Sequence, residues 1–183
     1  RFGSSALAAH QIVLTYVSAT FQVALGVGAA TSVRVGRAVG AADRLAARRA
    51  GLVGIAAGAG VMVLGALTFL AIPVQLALTM TDVERVVETA ISFFVVAACF
   101  QLSDGVQTVA QGALRGAGDT RAAFLVNLMG HYALGLPIGI ALAWGAGLGA
   151  VGLWWGLSIG LTVVAALLTL RFVLLSSRPI ARA

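Results

Sequence analysis

Long stretches of the chain carry no Asp, Glu, Lys or Arg: residues 2–33, 50–81 and 122–170 have none, and residues 89–114 have Asp104 alone. A helix needs about 20 mostly apolar residues to cross a bilayer, so each stretch is long enough for a crossing. The one over 122–170 is too long for a single pass, and the glycine-rich run GAGLGAVG at 145–152 is where it should break in two. The pattern predicts an all-α polytopic membrane protein with five transmembrane helices, over about 5–33, 50–77, 89–114, 122–144 and 150–173.

Two of these spans are polar along one side. Gln11, Thr15, Ser18 and Gln22 follow one another by four, three and four residues, and Gln101, Asp104, Thr108, Gln111 and Arg115 by three, four, three and four. Both spacings put their members on one helical face. An unpartnered polar group costs several kcal/mol in hydrocarbon, so these faces are expected to turn toward other helices or toward water inside the protein. A shared polar cavity is the favoured reading; the alternative is that the side chains bridge helices.

Asp104 sharpens the choice, because a carboxylate near the middle of a span costs about 2.5–3.5 kcal/mol. Burial raises the pKa of an acid and a nearby cation lowers it, so such a group can exchange a proton for a metal ion or an organic cation. The competing explanation is permanent pairing with a buried base. His131 is the candidate on a span, with Arg115 three turns along Asp104's own helix at the water interface. The fourth span carries Asn127 and His131 one turn apart and then Pro137, which should bend it. His131 reads either as a hydrogen-bonded core residue or as a ligand. His10, Trp154 and Trp155 are expected at the outer interface.

Composition agrees with the pattern: 60% of the chain is hydrophobic, 10% is charged and the mean hydropathy is +1.02. The net charge of +6 does not call for nucleic acid, since basic loops are usual in membrane proteins. The first segment is too long and too polar inside for a cleavable signal. A start at Arg1, close to the first span, reads as a cut inside a larger protein. Cys99 is the one cysteine, which excludes an internal disulfide or a thiolate metal cluster.

The arginines orient the chain. Arg34, Arg37, Arg44, Arg48 and Arg49 lie between the first two spans, Arg115 and Arg121 between the third and fourth, and Arg171, Arg178 and Arg182 after the fifth. The opposite side has Arg1 and Arg85 with Asp82, Glu84 and Glu88. Because excess Arg marks the cytoplasmic face, residue 1 is expected outside and the C-terminus inside.

Glycines recur at four-residue spacing at Gly54 and Gly58, at Gly135 and Gly139, and at Gly152, Gly156 and Gly160, a pattern that lets helices pack closely in lipid. Gly147, Gly149 and Gly152 fit G-x-G-x-x-G, but with no preceding strand the match carries no dinucleotide site. GRAVGAAD at 36–43 and GALRGAGD at 112–119 both read G-x-x-x-G-A-x-D and both close a span running inward. Each Asp can cap the next helix. The pair suggests an internal repeat, as in many secondary transporters, or convergence on one turn chemistry.

ALAAHQI at 6–12, VGRAVGAAD at 35–43, FQLSDGVQTVAQGALRGAGDTR at 100–121 and GHYALGLPIGIAL at 130–142 together resemble the multidrug and toxic compound extrusion (MATE) family, NorM-like branch. The resemblance implies a cation-coupled exporter with two six-helix lobes around a central cavity. Residues 1–183 would form most of the C-terminal lobe, without its first helix, in a bacterial inner membrane. It further implies that Asp104 belongs to the coupling site for sodium or protons, with Phe100 in place of a Tyr found in some relatives. By the same resemblance Gln11 would line the cavity; the polar stripes add Thr15, Ser18, Gln22, Gln101 and Thr108 as candidate lining, and the fourth span adds His131, where relatives often have an aromatic. The implied partners are small cationic or amphipathic drugs, the lipid bilayer and the N-terminal lobe; no cofactor is implied beyond the coupling ion. A lipid-linked oligosaccharide flippase of related fold would need several basic cavity residues, and a passive membrane subunit would leave Asp104 without a purpose. An enzyme is not expected, because H-E-x-x-H, a paired nucleophile and clustered acids are all missing.

Overall fold

The computed structural model describes residues 3–177; Arg1, Arg178 and Arg182 lie outside them. Five helices are long and apolar enough to cross a membrane: Gly3–Gly40, Arg44–Ala71, Glu84–Gly116, Thr120–Gly145 and Gly149–Ser176. In chain order the elements are α1 (Gly3–Gly40), α2 (Arg44–Ala71), the short α3 (Pro73–Leu78), α4 (Glu84–Gly116), α5 (Thr120–Leu128), α6 (Leu136–Ile140) and α7 (Gly149–Ser176). Turns of π-helix at Met129–Gly135 and Ala141–Gly145 join α5 and α6 into the fourth span. No strand occurs among the described residues.

The ends of the spans differ from those the apolar pattern gives. With 38 residues, α1 is about 57 Å long, far more than the ~30 Å hydrocarbon layer. It runs on through Arg34 and Arg37 because arginine is a good helix former and its charge is solvated there. The second span stops at Ala71, short of the expected 77. Pro73 bars Ile72 from helical geometry, and Ile72 sits at φ −134° and ψ 42°.

The two G-x-x-x-G-A-x-D turns fold alike. Asp43 N–H donates to Ala38 O and Asp119 N–H to Leu114 O, both at 2.9 Å; Ala42 N–H donates to Val39 O and Gly118 N–H to Arg115 O. This is a Schellman cap, which needs one left-handed residue. Ala42 (φ 57°) and Gly118 (φ 82°) supply it at matching positions. Beyond that residue the turns diverge. Asp43 caps α2 by accepting from Ala46 N–H at 2.9 Å, whereas Asp119 makes no cap and accepts from Arg171 Nε at 2.8 Å.

The helix α4 sits centrally, packed against α1, α2 and α7, and is the most buried of the five spans; Thr120–Gly145 is the least. One core cluster gathers Phe69, Phe93, Phe94 and Trp154 toward the Gly3 end of α1, and another Val35, Leu114, Val164 and Phe172 toward its Gly40 end. Outward faces carry Leu64, Leu70, Phe124 and Leu174, more than half exposed, as suits helices solvated by lipid. Trp154 departs from the interfacial place expected of it. It is 7% exposed, stacked on Phe93 and edged by His10, and Trp144 is the exposed tryptophan at that end.

The repeated glycines are helix contacts. A methyl at Gly160 would lie 2.7 Å from Gly130 O, and one at Gly156 would fall on the backbone of Gly139. Gly58 faces Val109 and Gly54 faces Thr31, so α2 closes on α4 and α1 in the same way. Pro137 has no amide hydrogen to return to the preceding turn. The span absorbs this by widening, and Leu136 N–H reaches back to His131 O.

Candidate functional site

Two adjoining chambers lie between α1, α4, the fourth span and α7. The smaller, about 290 Å³, is walled by Asp104, Gln107, Thr108, Gln111 and Arg115 of α4, facing Phe21 and Leu25 of α1. The larger, about 590 Å³, lies toward the Gly3 end and is apolar, with Leu7, Leu14, Phe93, Phe100, Leu157 and Trp154 among its lining. His131 and Leu161 line both.

Helical spacing explains the polar wall. Positions three and four apart share a face, so Asp104 brings Gln107 and Thr108 with it, and Gln111 and Arg115 continue the row. Asp104 is partly buried and takes part in no hydrogen bond or salt bridge among the described residues. Arg115 lies eleven residues on, about 16 Å along the helix, and is exposed. The carboxylate therefore has no permanent guanidinium partner in its own chamber.

His131 is held by a relay of polar contacts. Its Nδ1 lies 3.0 Å from the carbonyl oxygen of Asn127. The Asn127 side chain accepts from the Gln107 amide and donates to Ala123 O at 2.8 Å. Gln107 is 8% exposed, and its Oε1 has no hydrogen-bond partner among the described residues. Sequence reasoning passed over Gln107 because the four-three stepping from Asp104 selects Thr108; the three-residue step from Asp104 was the signal for it.

The other anticipated site residues scatter. Phe100 borders the apolar chamber, 5.4 Å from Trp154 between ring centres, and is absent from the wall around Asp104. Gln101 is fully buried and lines neither chamber: its Nε2 donates to Thr20 Oγ1 at 3.0 Å, and the one Thr20 hydroxyl hydrogen lies between Val17 O at 2.8 Å and Gln101 Oε1 at 3.2 Å, so the pair ties α4 to α1. A stripe on α4 is flanked by three helices, and a small angular offset sends Gln101 into an interface while Asp104 faces the chamber. Gln11, Thr15, Ser18 and Gln22 are exposed and line neither chamber. They occupy the side of α1 opposite Ala9, Val13, Ala24 and Thr31, which are buried.

A family model described as MatE matches residues 1–144. The chain is 47% identical over 184 residues to the multidrug resistance protein NorM of Burkholderia vietnamiensis, covering 98% of this chain and 40% of that protein. It is 43% identical over 178 residues to a probable multidrug resistance protein NorM of Deinococcus radiodurans, covering 94% and 40%. Thus it spans about two fifths of the length of these curated relatives. Among solved structures, the eukaryotic MATE transporter AtDTX14 superposes with a TM-score of 0.87 at 25% identity, over 93% of this chain and 38% of that one. An inward-facing multidrug resistance MATE family transporter of the MOP superfamily gives 0.82 at 24%, over 91% and 38%.

Proposed function

Because the chain belongs to the MatE family, we propose that it forms most of the C-terminal lobe of a bacterial inner-membrane exporter that exchanges small cationic or amphipathic drugs for an incoming sodium ion or proton. The observation that carries this reading is Asp104, an acid in a membrane span, turned to a cavity and free of any hydrogen bond or salt bridge among the described residues. An unpartnered carboxylate in low dielectric is open to a mobile cation. The apolar chamber falls in the size range of small-molecule sites and suits the hydrophobic body of a drug, whose cationic centre reaches toward Asp104 past His131 and Leu161.

Exchange is coupled when occupancy by one ligand disfavours the other. A proton on Asp104 removes the charge that holds the drug, and a sodium ion there neutralises it. Thr108 and Gln111 are further polar side chains on the same wall. The exposed stripe of Gln11, Thr15, Ser18 and Gln22 provides a polar face on which the N-terminal lobe closes, with water or drug between. Among the described residues Arg115 is the one guanidinium lining either chamber, which disfavours a flippase built to hold a pyrophosphate head group. Asp104→Asn in the intact protein is expected to abolish ion-driven efflux of a fluorescent cation while leaving the protein in the membrane. Efflux undiminished in D104N would defeat the proposal.

A further inference from the structure

We propose that His131 is a second proton-binding group of the transport cycle, placed in the wall between the two chambers so that its charged form drives cationic cargo out. The inference rests on the transport reading above but on a different residue. His131 and Leu161 are the two side chains common to both chambers, and of the pair only the imidazole carries a charge that can change.

The hydrogen bonds fix which nitrogen does the work. A carbonyl oxygen only accepts, so Nδ1, 3.0 Å from Asn127 O, carries the hydrogen in the neutral ring. Nε2 then bears the lone pair and is the atom that takes a proton. The anchor is itself secured, since the Asn127 side chain is held by Gln107 on one side and Ala123 O on the other. The widened turn Met129–Gly135 that carries the ring is backed by α7, where Gly130 abuts Val164 and Gly160.

Around this ring the titratable and charged groups are few. From α4 the polar chamber presents Asp104 and Arg115; from α1 the apolar chamber presents His10; on its own span the neighbour is Tyr132; the α7 wall presents Leu157, Ser158 and Leu161, with nothing titratable. A proton from water adds to Nε2 and makes an imidazolium in the shared wall. That cation repels a cationic cargo directly, with or without the Asp104 carboxylate beside it, so protonation of His131 and binding of cargo disfavour each other. Cargo entry reverses the step and returns the proton to water.

The test is the number of protons released when tetraphenylphosphonium, a permanent cation with nothing to titrate, binds the purified intact protein at pH 6. Binding heats in buffers of different ionisation enthalpy give that number. Replacing His131 with Gln, or with Phe to keep a ring without nitrogens, is expected to lower the release by a measurable fraction of a proton. D104N, in which residue 104 cannot titrate, is expected still to release a similar fraction. An equal count in parent and His131 variants, or no release from D104N, overturns the inference and leaves Asp104-coupled export standing. Undiminished efflux in D104N, with the count lowered in H131Q, would do the reverse. A parent protein that binds no tetraphenylphosphonium defeats both.

Discussion

Gln101 and Asp104 stand one helical turn apart on α4 and meet different surroundings. Gln101 is sealed in the interface, donating to Thr20 Oγ1, and Asp104 faces a chamber with no hydrogen bond or salt bridge among the described residues. Removing the hydroxyl by Thr20→Val strands a buried amide, at a cost of about 0.5–2 kcal/mol in a membrane helix pair. The expected readout is a lower thermal unfolding midpoint in detergent; an unchanged midpoint would mean that Gln101 finds another partner. Ala42 makes the opposite case. It holds φ at 57° where the matching turn has Gly118, so Ala42→Gly should stabilise the protein by about 0.5–1 kcal/mol, and a lowered midpoint would contradict this. An acid in a span announces itself in the sequence because it is costly there, which is why Asp104 was legible. Gln101 and Gln107 were not, because spacing gives a face of α4 without saying which neighbour lies over each part of it.

At the level of elements, the small-residue ladders set how closely the spans approach. A methyl at Gly156 falls on the backbone of Gly139, where no flexible side chain can yield, while one at Gly60 meets nothing within 4 Å. Gly156→Ala is therefore expected to cost about 1–3 kcal/mol. Gly60→Ala, in the interior of α2, should be neutral or stabilising by up to about 1 kcal/mol. Equal thermal midpoints for the two variants would refute the ladder. Four-residue glycine spacing and the paired turns could be read from the sequence because local chemistry dictates them. Three element-scale features could not. Pro137 is accompanied by widened turns, with the glycines on both sides of it packed against α7. Trp154 turns inward to an aromatic cluster that draws on three helices. Asp119 gives up its cap for Arg171, fifty-two residues away along the chain. Each depends on contacts distant in sequence.

For the whole molecule, the five-span count follows from charge-free length alone, and the arginine excess adds a direction across the membrane. With Cys99 replaced by Ala, an impermeant thiol reagent on intact cells is expected to label Ala146→Cys, in the turn before α7, and to spare Ala41→Cys, at the Arg-rich end. The reverse pattern would invert the orientation. The packing of α1 and α4 leaves Asp104 facing a cavity and leaves the polar stripe of α1 uncovered, an arrangement that suits one half of a two-sided transport path. Competition at Asp104 is the most direct test. Tetraphenylphosphonium affinity would be measured for the intact protein as sodium or proton concentration rises, in the parent and in D104N. Affinity should fall by about tenfold or more in the parent; in D104N any sodium dependence should vanish and any proton dependence should shrink to the part that His131 carries. The same loss of affinity in both proteins would mean that cargo and coupling ion do not meet at Asp104.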